Sequence, residues 1–418
     1  MSGDQLARRL TTPDAVVIGL GSMIGAGVFA AFGPAAQAAG TGLLLGLVLA
    51  AGVAYANATS SAQLAALYPR SGGTYVYGHE RLGPFWGYLA GWGFVVGKTA
   101  SCAAMALTFG AYVAPGVARP AAIGIVVGLT AVNLAGVKKT AGLTKAIVAI
   151  VLATLAAVVT AALGGGEVAI DNLRAPLAVG GWYGVLQSGG LLFFAFAGYA
   201  RIATLGEEVV EPQRTIPKAI PLALGLTLVV YATVAVAALL AAGPDALADA
   251  DAPLAAAVEG GRLAALTPAV TIGATVASVG VLLSLLVGVS RTTFAMARDG
   301  HLPGGLARVA TRTHVPAVAE VTVGVVVIAV LVSGADLREA IGFSSFAVLT
   351  YYAIANASAW TLSGQDRRWP RWLAGLGVVG CTALAFTLPL PSVVVGAGVL
   401  LLGAALYGVR RRWSAGSN

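Results

Sequence analysis

Long apolar runs alternate along the chain with short polar punctuation. Twelve apolar segments can be marked, near residues 14–38, 42–67, 84–113, 120–137, 144–163, 184–205, 219–242, 266–292, 316–333, 340–362, 372–388 and 392–409. Each is read as one membrane-crossing helix, which needs roughly 20 apolar residues. The loops between them are short and rich in Gly, Pro and charge. The longest external ones are 164–183 and 243–265. No window is long or polar enough for a soluble domain, so residues 1–418 form one all-α membrane domain of twelve transmembrane helices. The first run follows the polar stretch MSGDQLARRL and is too long for the core of a cleavable signal, so it is read as a retained helix.

Composition agrees with the pattern. Of 418 residues, 58% are hydrophobic and 10% charged, whereas soluble chains carry about 25% charge. The net charge of +8 is explained by topology, because Lys and Arg are retained on the cytoplasmic side. With the N-terminus inside, 19 of the 25 basic residues fall on cytoplasmic loops, Arg8, Arg9, Arg81, Lys138, Lys139 and the run Arg410, Arg411, Arg412 among them. Four lie outside: Arg119, Arg174, Arg262 and Arg338. Lys98 and Arg201 remain inside apolar segments. This distribution predicts an even number of crossings in the cell membrane, with both termini cytoplasmic. It gives no reason to invoke a nucleic-acid partner. The basic C-terminal tail reads as a topology anchor in preference to a lipid-binding patch.

Cys102 and Cys381 sit in apolar runs and imply no disulfide framework. His79, His301 and His314 fall in cytoplasmic loops, and none is spaced with Cys or carboxylates as a metal ligand. No P-loop is present and no cofactor is expected. An intramembrane enzyme should cluster His, Asp, Glu or Cys within its spans, and this chain does not. A transporter-like sensor is left as the alternative of a different class.

Two spans carry interruptions. The first reads VVIGLGSMIGAGVFAAFGPAA, with glycines at 19, 21, 25 and 27 crowding its middle. Gly costs about 1 kcal/mol per position inside a helix, and non-helical backbone at membrane depth persists only inside protein or beside a wet cavity. Small residues for close helix packing are the competing explanation. The sixth span, GGLLFFAFAGYARIATLGEE, is interrupted similarly at Phe194-Ala195-Phe196-Ala197-Gly198. Breaks five segments apart point to inverted repeats, with a substrate site at the paired breaks. Exposed N–H groups and a positive dipole end suit a carboxylate, while freed carbonyls suit an ammonium group. A site with both ends matches an amino-acid head group.

At these residues the chain resembles permeases of the amino acid–polyamine–organocation superfamily, most closely the bacterial branch similar to cationic amino acid transporters. The resemblance rests on GSMIGAGVF (21–29), YPRSGGTYVYGHERLGPFWGYLAGW (68–92), FFAFAGYARIATLGEEVVEPQRTIPKAI (193–220) and FAMARDGHLP (294–303), in that order. It implies a LeuT-type 5+5 inverted repeat with broken helices 1 and 6. Repeat one would cover about 14–163, repeat two about 184–362, and two extra helices 372–409. By position, the backbone of Ser22, Met23, Ile24, Gly25, Ala26 and Gly27 would hold the substrate carboxylate. The backbone of Phe194, Ala195, Phe196 and Ala197 would face the ammonium group. Phe194 falls where the family often has an aromatic gate, with ordinary packing as the other reading. Glu207 and Glu208 would end the sixth helix on the cytoplasmic side.

The departures from the family are informative. Gly97 stands where cationic transporters often carry a glutamate, which argues against a basic substrate. Val151 stands where many members carry a coupling lysine, and Gln63 where a glutamate is common. Lys145 reads as a topology charge. Gly97, Ser101 and Cys102 describe a small uncharged pocket that leans towards neutral amino acids.

Lys98, about 14 residues into the third span, is the outstanding charge, since a central charged side chain is functional by default. Three readings stand: a proton-coupling group, a partner for an acidic or polar substrate side chain, or a structural lysine bonded to broken-helix carbonyls. Arg201 suits a structural or gating role, because it does not lose its proton. Asp14 reads as a helix N-terminal dipole partner, and Glu320 as reaching the cytoplasmic interface. Ser278 and Ser284 leave a sodium-type site open. The resulting expectation is secondary active transport of amino acids by alternating access, as proton-coupled symport or exchange. An organic-amine or polyamine carrier, or an amino-acid exporter, is the alternative.

Overall fold

The computed structural model describes residues 10–69, 72–136, 141–164, 168–174, 180–199, 202 and 209–416. The α-helices, in order, are α1 (Thr12–Met23), α2 (Ala26–Ala39), α3 (Leu43–Leu67), α4 (Thr74–Leu82), α5 (Pro84–Val113), α6 (Ala118–Leu134), α7 (Ala141–Gly164) and α8 (Asp171–Arg174). They continue with α9 (Gly181–Phe196), α10 (Pro212–Asp249), α11 (Pro253–Glu259), α12 (Thr267–Arg298), α13 (Ala317–Val332), α14 (Leu337–Trp360), α15 (Arg371–Thr387) and α16 (Leu390–Gly416). Extended pairing among the described residues is confined to an isolated bridge between Leu10 and Val209.

Eight helices are long and apolar enough to cross a membrane, and the bent pair α1–α2 makes a ninth. α13 and α15 are shorter apolar helices, and α9 is a 16-residue helix that ends at the sixth-segment interruption. The protein is therefore a multi-pass helical membrane protein. Arg201, Glu207 and Glu208 lie outside the described residues, as do Lys138 and Lys139.

Local sequence explains where helices begin and bend. Gly83, at φ 103°, turns the chain into Pro84, the first residue of α5, where proline's missing N–H costs nothing. α14 begins with a reciprocal cap: Asp336 accepts from the Glu339 N–H at 2.7 Å, and Glu339 accepts from the Asp336 N–H at 3.2 Å. α10 is kinked at Gly243 (φ 79°) just before Pro244.

Two packing groups surround the interrupted helices. α1, α2, α3, α9 and α10 pack on one another, and α5, α6, α12 and α13 form the second group. α7 packs on α12 and α10, while α14 packs on α5 and α3. The interior is rich in Ala and Gly, the small residues that let membrane helices approach closely. Large apolar side chains such as Val48, Val325, Val379 and Leu401 point outward, as lipid solvation requires. At one end Arg119 caps the carboxyl end of α13, donating to the carbonyls of Leu331 (2.9 Å) and Gly334 (3.0 Å). Arg338 bonds Gln37 and Gln187.

Candidate functional site: the paired helix breaks

The first span breaks where its glycines are densest. α1 ends at Met23, α2 starts at Ala26, and the two are bent by 43°. Ile24 N–H still reaches the Leu20 carbonyl at 2.6 Å, and Gly25 N–H turns back to the Met23 carbonyl at 2.7 Å. Gly25 caps α2 without any side-chain hydrogen bond. The first four N–H groups of a helix have no partner within it, so this N-terminus offers donors and a positive dipole end.

The sixth segment changes character at the predicted place. α9 ends at Phe196, and Ala197–Tyr199 form one tight 3-10 turn. The two interruptions touch. A side-chain carbon on Gly27 would lie 2.9 Å from the Ala195 α-carbon, and one on Gly198 would collide with the Ser22 carbonyl. Gly25 packs against Val281 of α12 and Gly21 against Val148 of α7. The glycines thus serve close backbone approach on several sides as well as the break itself.

A residue outside the sequence expectation ties the breaks together. The Tyr231 hydroxyl, on α10, contacts the Met23 carbonyl and the Ala195 carbonyl, the latter at 3.0 Å. Tyr352 of α14 donates to the Ala197 carbonyl at 3.4 Å. Phe196 packs edge-on against Tyr231, and Phe193 against Tyr352. The lone tyrosine in LTLVVYATVAVAA was the available signal, since a buried Tyr hydroxyl usually finds a partner. A carbonyl oxygen has two lone pairs, so these bonds leave acceptor capacity at the break.

The remaining candidates divide. Ser22 is partly exposed and its hydroxyl donates to the Ile18 carbonyl at 2.9 Å. Phe193 and Phe196 are fully buried, whereas Phe194 between them is partly exposed. Gly97 packs against Ala347 and Val348, and the Ser101 hydroxyl meets that of Ser344 at 2.7 Å, so both contact α14. Cys102 is fully buried. Ser278 on α12 is buried and its hydroxyl has no hydrogen-bond partner among the described residues. Ser284 is exposed and donates to the Gly280 carbonyl at 2.8 Å. Val151 is fully buried.

Lys98 is partly exposed along α5. Among the described residues it makes neither hydrogen bond nor ion pair, and its electrostatic neighbour is Cys102, one turn on. Bonding of Lys98 to the break carbonyls is thus not observed. Asp14 accepts from Thr11 in a helix cap and pairs with Lys145 of α7 at 3.1 Å. Glu320 does not reach an interface with solvent: it is 3% exposed and accepts from Asn133 Nδ2 at 2.6 Å. The sequence expectation is corrected here, because α13 turns this face onto α6.

A second cluster joins α4 to the loop after α12. The Tyr75 hydroxyl donates to Asp299 at 2.7 Å and lies 2.9 Å from His301 Nδ1. Tyr88 and Tyr407 pack edge-on or tilted against the imidazole. Burial holds His301 below its ordinary value; Asp299 opposes this, and Arg410 and His79 add to it. Burial and the Asp299 hydrogen bond raise the Tyr75 phenol.

In this multi-pass helical membrane protein the break in the first span meets the end of α9 and the turn that follows it. Sequence comparison carries this further: a family model described as amino acid permease matches residues 10–409. The chain belongs to the amino acid permease family, within the amino acid–polyamine–organocation superfamily, and is a permease and not an enzyme. It is 64% identical to an uncharacterized transporter of Mycobacterium tuberculosis over 98% of this chain and 92% of the relative. It is 26% identical to the branched-chain amino acid permease BcaP of Bacillus subtilis, over 97% and 94% respectively. It is 30% identical to cationic amino acid transporter 2, vacuolar, of Arabidopsis thaliana, over 85% of this chain and 60% of the relative.

Proposed function

We propose that the protein is a secondary active amino-acid transporter of the cell membrane, working by alternating access with a proton as coupling ion or with a counter-substrate. The observation that carries this reading is the contact between the two helix breaks, through Gly27 on Ala195, Gly198 on Ser22, and the Tyr231 hydroxyl on both. The backbone from Ser22 to Gly27 holds the carboxylate at the α2 N-terminus. Carbonyls of Phe194 to Ala197 face the ammonium group, and Phe194, the partly exposed aromatic of its trio, gates the site.

The architecture in this reading is twelve crossings, built as two inverted repeats of five plus α15 and α16, with both termini cytoplasmic. Packing supports it. Counting the bent pair as segment one, segment five packs on eight and on seven, and segment ten packs on three and on two. Each relation is the other displaced by five. The substrate class is a neutral amino acid, favoured by Gly97 in place of the glutamate expected for basic substrates and by the name of the BcaP relative. Lys98, charged and without a bonding partner among the described residues, is the first candidate for proton coupling. Ser278 and Ser284 mark the alternative, a sodium-type site.

Reconstitution into proteoliposomes tests the reading. Labelled branched-chain amino acids, arginine and methylthioribose make the panel, the last because a methylthioribose transporter of Bacillus subtilis is 30% identical over 73% of this chain. Uptake or exchange of neutral amino acids, greater with an inward proton gradient, is expected. Failure to move any amino acid or amine in either mode refutes the transport function.

A further inference from the structure

The interface between α6 and α13 contains an ionisable group that the proposed transport site does not use. Glu320 is 3% exposed. The one hydrogen bond to its carboxyl group among the described residues comes from Asn133 Nδ2, at 2.6 Å. The other side of that carboxamide, Asn133 Oδ1, is buried and has no donor among the described residues; one turn away, the Thr130 hydroxyl is also buried without a partner among them. Gly324, one turn after Glu320, makes the contact tight: a side-chain carbon there would stand 2.8 Å from Thr130 Oγ1.

Two polar atoms therefore lie buried beside a carboxyl group in a closely packed helix contact. An ionised carboxylate only accepts hydrogen bonds, whereas the protonated acid carries one O–H donor. A proton on Glu320 supplies the donor that Asn133 Oδ1 lacks. Acid and carboxamide then pair face to face, Nδ2–H to one carboxyl oxygen and O–H to Oδ1, and both groups are satisfied. The ionised form leaves Oδ1 orphaned and a charge with one hydrogen bond in a buried contact, which is costly.

Among the described residues, the surrounding charges do not offset that charge. Of the elements packed on α13, α5 brings Lys98 and Cys102, α12 brings Arg291 and Arg298, and the short turn Gly304–Ala307 is followed by Arg308. Arg119 caps the far end of α13. None of these cations is ion-paired with Glu320.

We propose that Glu320 is a proton-binding site inside the membrane, held as the neutral acid in a cyclic pair with the Asn133 carboxamide. The proton leaves to water only when α6 and α13 separate enough to hydrate the carboxylate. Its link to transport rests on the carrier reading above, but the protonation itself does not.

Infrared spectroscopy of the purified full chain at neutral pH, as the difference between wild type and variant, tests the site. A carboxylic-acid carbonyl band is expected in the wild type and should be missing in Glu320→Gln. That variant keeps the amide-to-amide pairing and should fold. Asn133→Leu is the second variant: it should shift the same band, because the acid loses its partner. In proteoliposomes Glu320→Gln should retain exchange, while gradient-driven accumulation falls to equilibration. Absence of a protonated-acid band assignable to Glu320, or a band indifferent to Asn133→Leu, overturns the proposal. A band that behaves as expected in a protein that moves no amino acid sustains the site and refutes the carrier reading instead.

Discussion

Tyr231 is the residue on which the paired breaks most depend. Its single O–H proton is shared between the carbonyls of Met23 and Ala195, and such a hydrogen bond contributes about 1 kcal/mol net. Tyr231→Phe should lower stability by about 1 to 2 kcal/mol, measured by thermal unfolding in detergent, and reduce transport more than that loss implies. Unchanged uptake would mean that the clamp is incidental to the site. Gly198→Ala is a harsher change, since the new methyl meets the Ser22 carbonyl; loss of uptake with membrane insertion retained is expected. At Lys98, replacement by Met should remove the gradient dependence of uptake and spare exchange. Coupling that survives in this variant transfers the proton-carrying role elsewhere. The glycines were legible because glycine density inside an apolar run has few explanations. Tyr231 and the partner of Glu320 were not, because both contacts join residues far apart in sequence: 208 positions for Tyr231 with Met23 and 187 for Asn133 with Glu320. Hydropathy carries no information about which helix faces which.

Helices and loops give the next scale. The break in the first span and the end of α9 fall where the sequence places them, because glycine cost and the requirement for buried backbone act locally. The helix α4, in a stretch read as loop, was missed: its nine residues are short and polar, without a membrane-length signal. It is held by Thr74 N–H to the Tyr351 hydroxyl at 3.0 Å and by Tyr75 to Asp299. The latter contact brings in His301, whose folded value lies below the ordinary 6.5 through burial. The unfolded chain therefore takes up this proton first as pH falls. The contribution is flat above the unfolded value, and stability is lost as pH drops below it towards the folded value. Unfolding temperatures recorded from neutral to mildly acid pH should decline, and more shallowly in His301→Gln. Between α6 and α13, Gly324→Leu should overpack the contact and cost about 1 to 3 kcal/mol, read as a lowered unfolding temperature.

For the whole molecule, membrane residence was readable from composition and run length alone, because the bilayer imposes a length on every span. The distribution of basic residues proposes an orientation with both termini cytoplasmic, and it yields a direct test. Tags on both termini should be cleaved by protease added to inverted vesicles and protected in right-side-out ones. Opposite fates for the two tags would exclude an even number of crossings. Helix packing at an offset of five segments is a proposal drawn from the spacing of the two breaks, and the contacts of α7 and α14 are consistent with it.

The shared hydroxyl of Tyr231 also has a mechanical meaning. One short, rigid side chain anchored in α10 grips both interrupted helices at their weakest points. Neither half-helix can swing away alone without losing its share of that grip. In the proposed alternating-access cycle the two breaks and α10 are expected to move as a single lever over one principal barrier. A carrier with independent gates would show separable kinetic phases for opening on each side. Here a single phase is expected in wild-type protein, splitting into two only when the Tyr231 hydroxyl is removed.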